Sequence, residues 1–171
     1  ISFHAYGDLT ETRKKIEATG MSVQLVDLNE FENKADELYK KLKQFDVVWF
    51  GGGYPFYLRW IMKASGFDLI ARRLIDGGVV YGGGSAGAIV AGPTIKEYDE
   101  EGELEKCPGV IYEGLGLTDL VIIPHWGEPS MQAELEAIKN YYDKTSYTVL
   151  TLTDEEAVVV NEDKWLLSPA K

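Results

Sequence analysis

Residues 79–92 read VVYGGGSAGAIVAG. An apolar run enters a cluster of glycines, a lone serine stands at position 85, and a small, apolar run follows. Strand, tight turn and helix start, in that order, form the unit from which parallel α/β folds are built. The turn GGSAG (83–87) satisfies G-x-S-x-G, the nucleophile elbow. Small neighbours let such a serine take strained backbone angles, and N–H groups of the helix start face a developing oxyanion. Gly82, Gly84 and Gly87 also satisfy G-x-G-x-x-G, the dinucleotide fingerprint. That fingerprint expects the first strand of a domain and an acidic residue closing the next strand, about 20 residues on. Here earlier strand units precede the loop, and the stretch in question is EGELEKCPG, which is no strand end. A plain tight turn is the third reading.

Working outward, the spacing predicts a helix over 10–20 (Thr10 as N-cap, Gly20 as stop), a strand over 22–28 and an amphipathic helix over 33–45. A fully apolar strand follows at 46–50, then GGGYP and two helices divided at Gly66. Beyond the strand at 79–82 come strands at 120–124 and 147–152, with a helix over 130–143 between them. Residues 156–168 read as a hairpin turning at 161–163. The alternation predicts a single domain over 1–171, α/β, with a mostly parallel sheet whose strands are covered on both faces. The long irregular stretch 93–118 reads as a flap or hairpin over the site. The chain opens on ISFHAYGD without methionine, and an N-terminal strand is expected to be missing.

Charge narrows the function. A net charge of −11 argues against nucleic acid, which needs a basic footprint, and against an anionic membrane surface. A 45% hydrophobic content is ample for a core. One cysteine, Cys107, allows no internal disulfide, and without a neighbouring histidine it reads as incidental rather than as a reactive thiol. No signal peptide or long apolar span is visible, so a cytoplasmic location is the expectation. Trp60 and Tyr57 read either as core or as an interface between two copies in a homodimer.

A serine nucleophile needs a base, most often histidine. His125, in VIIPHWGEP, lies just past an apolar strand, where open α/β sheets gather functional residues. His4, near the start of the chain, reads as packed or exposed. The acidic run after strand 147–152 supplies Asp154, Glu155 and Glu156, and Glu128 lies nearer the histidine. Asp154 is the preferred third member, to orient the imidazole, with the other three as alternatives. The order Ser85, His125, Asp154 differs from that of the α/β-hydrolases. In the other glycine loop, WFGGGYPFYL (49–58), the N–H of Gly53 or Gly52 reads as an oxyanion donor paired with that of Ala86. Two distant histidines and scattered carboxylates offer no metal-ligand spacing.

Together FGGGYPFYL, YGGGSAGAIVAGPTI and IIPHW resemble the S51 serine peptidases, the dipeptidase E and cyanophycinase group. The resemblance runs from about residue 46 to 160. It implies a flavodoxin-like three-layer sandwich related to class I glutamine amidotransferases, with a nucleophile elbow, and cofactor-free hydrolysis of short peptides. Ser85 matches the nucleophile, His125 the base and Gly53 the oxyanion glycine; Asp154 falls where dipeptidase E carries a glutamate. Tyr54, a substrate-binding candidate, replaces the usual asparagine. The arginine that reads an aspartyl substrate in dipeptidase E has no counterpart between His125 and Asp154, where only Lys139 and Lys144 are cationic. The competing expectations are an amidase or amidotransferase-like hydrolase acting on small amides, and a non-catalytic binding domain.

Overall fold

The structure is a computed structural model and describes residues 2–3, 10–99, 102–162 and 164–169. Strand β1 (Ser2–Phe3) runs beside β2 (Val47–Phe50), which runs beside β3 (Val80–Gly83), all parallel. A second parallel ladder joins β4 (Leu120–Ile123) to β5 (Thr148–Thr151), and β6 (Glu156–Asn161) folds back antiparallel on β7 (Lys164–Pro169). The architecture is mixed α/β with small sheets.

The helices fall where the sequence puts them, except for a short one at Glu103–Lys106, inside the stretch 93–118 that reads as irregular. Helix α1 spans Thr10–Glu17, and α2 (Ala35–Leu42) buries Leu38 and Leu42 one turn apart. Asp36 and Glu37 begin α2 and Lys40 and Lys41 end it, matching the helix dipole at both ends. Pro55 opens α3 (Pro55–Ala64), where its missing N–H costs nothing. Gly66 separates α3 from α4 (Phe67–Asp76), and α4 packs on α2 through the Arg73 guanidinium, 3.7 Å from the centre of the Tyr39 ring. Short helices α5 (Ala86–Ile89) and α6 (Glu103–Lys106) follow, and α7 (Gln132–Tyr142) links β4 to β5. No described helix is long and apolar enough to cross a membrane.

Three expectations need correction. Residues 22–28 form no strand: they run without a ladder into a single 3-10 turn, Leu28–Phe31. Val26 and Leu28 are buried at the two-residue spacing of a strand, but a strand also needs a partner's hydrogen bonds, and this segment has none among the described residues. The expected continuous sheet is divided as well. The chain entering β4 gives its hydrogen bonds to the turn after α5 (Leu115 N–H to Val90, Gly116 to Gly92, Leu117 to Ala91), so β4 packs on α5 instead of pairing with β3. Nor are all the strands doubly covered: β4 is buried throughout, whereas β2 alternates and β3 is half-buried at best.

The core gathers around Phe50, whose ring meets Phe67 edge-on at 4.7 Å and stacks on Tyr81 at 5.4 Å. Tyr57 and Trp60 are half-buried and pack against this core. The stretch 93–118 is tied down at several points. Thr94 bridges to Glu113, the Tyr98 hydroxyl donates to the Ile122 carbonyl, and the half-buried Cys107 thiol donates to the Gly109 carbonyl. Buried Arg59 adds another tie, donating through Nε to the Glu113 carbonyl at 2.9 Å and through Nη2 to Asp68 at 3.3 Å. Arg59→Ala leaves the Asp68 carboxylate and that carbonyl without their donor. It should cost about 2–4 kcal/mol in a urea melt; a loss below about 1 kcal/mol would mean the tie contributes no net stability.

Candidate active site

Three chain segments reach one end of the molecule from the carboxyl ends of β3, β4 and β5. Ser85 lies two residues past β3, His125 two past β4 and Asp154 three past β5. The β4–β5 register sets the last two side by side. Ile123 is opposite Thr151, and the pairing continues through Leu152 N–H to Ile123 and Trp126 N–H to Leu152, both at 2.9 Å. His125 and Asp154 therefore leave neighbouring strands at the same level. His125 Nδ1 is 2.7 Å from Asp154 Oδ1, and Nε2 is 2.9 Å from Ser85 Oγ. The imidazole bridges the two.

The backbone at Ser85 and His125 is strained. Ser85 has φ 53° and ψ −120°, and His125 has φ 59°, in the region that favours glycine. Such angles cost about 1–3 kcal/mol each and persist only where the surroundings enforce them. The enforcement at Ser85 comes from close backbone packing. A Cβ on Gly83 would lie 2.3 Å from the Gly87 carbonyl oxygen, and one on Gly87 only 2.2 Å from that of Phe50. Hydrogen bonds from Gly84 N–H to Phe50 and from Gly87 N–H to Gly51 fasten the turn to the end of β2. The Tyr81 hydroxyl, its pKa pushed up by burial, donates to the Gly87 carbonyl at 2.7 Å.

The other glycine loop lies against this turn. A Cβ on Gly52 would be 3.5 Å from Ser85 Oγ, and Gly53 and Ser85 line the same cleft. Among the described residues the N–H groups of Gly52, Gly53 and Ala86 have no backbone partner. Tyr54 is half-buried at the N-cap of α3 and is not among the cleft-lining residues.

The alternative acids are engaged elsewhere or unplaced beside the ring. Glu156 accepts from Thr153 N–H and from the Thr153 hydroxyl, at 2.9 and 3.0 Å. Those two bonds, the backbone one first, hold its carboxyl below the usual range and close the turn that carries Asp154. Glu128 accepts from the Ser130 hydroxyl, and Glu155 is exposed with no hydrogen bond to His125 among the described residues. His4 lies outside the described residues.

The cleft beside Ser85 and His125 is small and open to solvent. Ser85, His125 and Gly53 line it, as does Tyr98 from the 93–118 stretch, and Met131, which caps α7, forms a wall with Glu134, Leu135 and Ile138 of α7. The sequence reading missed this wall. Its signal was the i, i+3, i+4, i+7 row of α7 and its capping residue, which marks one helix face but not what the face looks onto.

The sequence model of peptidase family S51 matches residues 4–168. An uncharacterized peptidase of Listeria monocytogenes is 25% identical over 150 residues, covering 86% of this chain and 71% of its own length. A peptidase E of Streptomyces coelicolor is 26% identical over 133 residues, covering 74% of this chain and 54% of its own. The fold is also that of a solved candidate peptidase E from Listeria monocytogenes, with a TM-score of 0.81, 23% identity, and 92% and 75% of the two chains covered. Matched along nearly its whole length, the chain belongs to peptidase family S51 and is a peptidase.

Proposed function

We propose that this chain is a serine peptidase of the dipeptidase E type, hydrolysing short peptides through Ser85, His125 and Asp154 and an acyl-enzyme. With this reading go a flavodoxin-like three-layer sandwich and a nucleophile elbow at Ser85. The observation that carries it is the His125 imidazole, within hydrogen-bond distance of Ser85 Oγ on one nitrogen and of Asp154 on the other.

In the tautomer the reaction needs, Nδ1–H donates to Asp154 and Nε2 accepts from the Ser85 hydroxyl. Ser85 Oγ attacks the scissile carbonyl as its proton passes to Nε2. The N–H groups of Gly53 or Gly52 and of Ala86 receive the oxyanion; one such donor is worth about 10²- to 10³-fold in rate. The imidazolium protonates the leaving amine, and water, deprotonated by the same ring, releases the acid.

Asp154 has a side chain 71% exposed, against 30% for His125. Water screens a carboxylate so placed, so its main contribution is to hold the ring's tautomer and direction. Asp154→Asn should therefore lower kcat by about 10- to 100-fold, short of the roughly 10⁴-fold loss known for a buried acid. Steady-state kinetics at saturating peptide check this; a loss near 10⁴ would mean that the acid acts from a closed site.

The decisive test is intact-mass labelling with a small fluorophosphonate, followed by a dipeptide screen. A single adduct on the wild type, absent in Ser85→Ala and His125→Ala, supports the reading. No adduct together with no peptide hydrolysis overturns it.

A further inference from the structure

We infer that the cleft beside Ser85 selects substrates by a positive charge, an ammonium or guanidinium group received by the Glu134 carboxylate. This rests on the serine-peptidase reading and adds a substrate class to it. Around a reactive centre most of a cleft wall supplies apolar area, and the few polar groups on it decide which substrate stays. Here the wall is apolar at the capping residue Met131 and at Leu135 and Ile138 of α7, and Glu134 stands in the same row. Among the described residues no lysine or arginine lines the cleft. Apart from His125, Glu134 is the one charged side chain among the residues that do.

The neighbouring charges on α7 are already paired. Glu136 accepts from Gln132 at 2.9 Å, and Lys139 binds Asp143 at 2.6 Å. Glu134 is exposed, and among the described residues its carboxylate has no hydrogen-bond or ion-pair partner. A cleft so lined offers a carboxylate substrate no counter-ion and sets a like charge against it. A cationic group meets a complementary charge, and the chain's net charge of −11 draws it in. A carboxylate in the first turn of a helix also favours the helix dipole. That role acts on melting temperature and leaves a ratio between two substrates unmoved.

The cation has two sources, a lysine or arginine side chain or the free α-amino group, and matched dipeptides separate them. Lys-Leu against norleucine-Leu isolates the side-chain charge. Norleucine-Leu against its N-acetyl form isolates the α-ammonium. kcat/KM for the set is measured on wild type, Glu134→Gln and Glu134→Lys, with fluorophosphonate labelling of each protein alongside. At least one ratio should exceed about 10 in the wild type, the scale of a charge-assisted hydrogen bond. That ratio should fall toward one in Glu134→Gln, mostly through KM, and Glu134→Lys should shift preference toward Asp-Leu. Ratios near one in the wild type, or ratios that survive Glu134→Gln, overturn the inference while hydrolysis and labelling keep the serine reading. Labelling without hydrolysis of any member of the set also overturns it. Loss of both labelling and hydrolysis in the wild type removes the serine reading, and the inference with it.

Discussion

Changing Ser85 to alanine is expected to lower kcat/KM for dipeptide hydrolysis by about 10⁴- to 10⁶-fold, the range seen when a hydrolase loses its nucleophile. The lower end corresponds to roughly 5.5 kcal/mol of transition-state stabilisation. The change is confined to one atom. Alanine keeps the Cβ, and at φ 53° it carries the same backbone strain as serine, so the turn and the glycine loop beside it have no reason to move. His125 loses a partner at 2.9 Å and keeps Asp154 at 2.7 Å. What activity remains comes from the N–H groups around the carbonyl and from binding. Product release followed by chromatography measures the loss, and a variant retaining a tenth of the wild-type rate would remove Ser85 from the role of nucleophile.

The second large effect is on stability. Gly87→Ala places a methyl 2.2 Å from the Phe50 carbonyl oxygen and 2.8 Å from its carbon, where both atoms are backbone and neither can swing aside. Relief requires the turn to lift from the end of β2. That strains Gly84 N–H to Phe50, Gly87 N–H to Gly51 and the Tyr81 hydroxyl bond to Gly87 together. The cost should be on the order of 3–5 kcal/mol, the upper range for overpacking because the clash is with main chain. The melting temperature should fall by roughly 10 °C or more in a domain of this size. A loss under about 1 kcal/mol would show that the turn has room the packing distances deny.

Much of the fold was legible because its local signals agreed with the tertiary outcome. Pro55, Gly66 and the Leu38/Leu42 spacing mark α3, α4 and α2 within a few residues. The stretch GGGSAG gave the turn because only glycine fits at 83 and 87. The meeting of Ser85, His125 and Asp154, as distinct from their roles, was legible because each follows a short apolar strand and parallel strands end on a common edge. The apolar run at 22–28 misled because its buried pair, Val26 and Leu28, satisfies strand periodicity while no partner among the described residues completes a ladder. Pairing is a property of two segments, and periodicity reads one. The same limit hid the division between β3 and β4, which depends on where residues 115–117 place their hydrogen bonds. Tyr98 and Glu134 were invisible as cleft residues because nothing local distinguishes a helix face or a loop tyrosine that borders a cavity.

The backbone angles of Ser85 and His125 also bear on when the chain becomes reactive. Neither residue holds such angles by local preference, so a nascent or half-folded copy carries an ordinary serine, too weakly nucleophilic to attack an amide. On the serine-peptidase reading, reactivity arrives only when the end of β2, the glycine turn and the β4–β5 pair have locked together. On the same reading, a chain that has not finished folding leaves the peptides around it uncut. The peptide-cleaving state is then a late product of assembly.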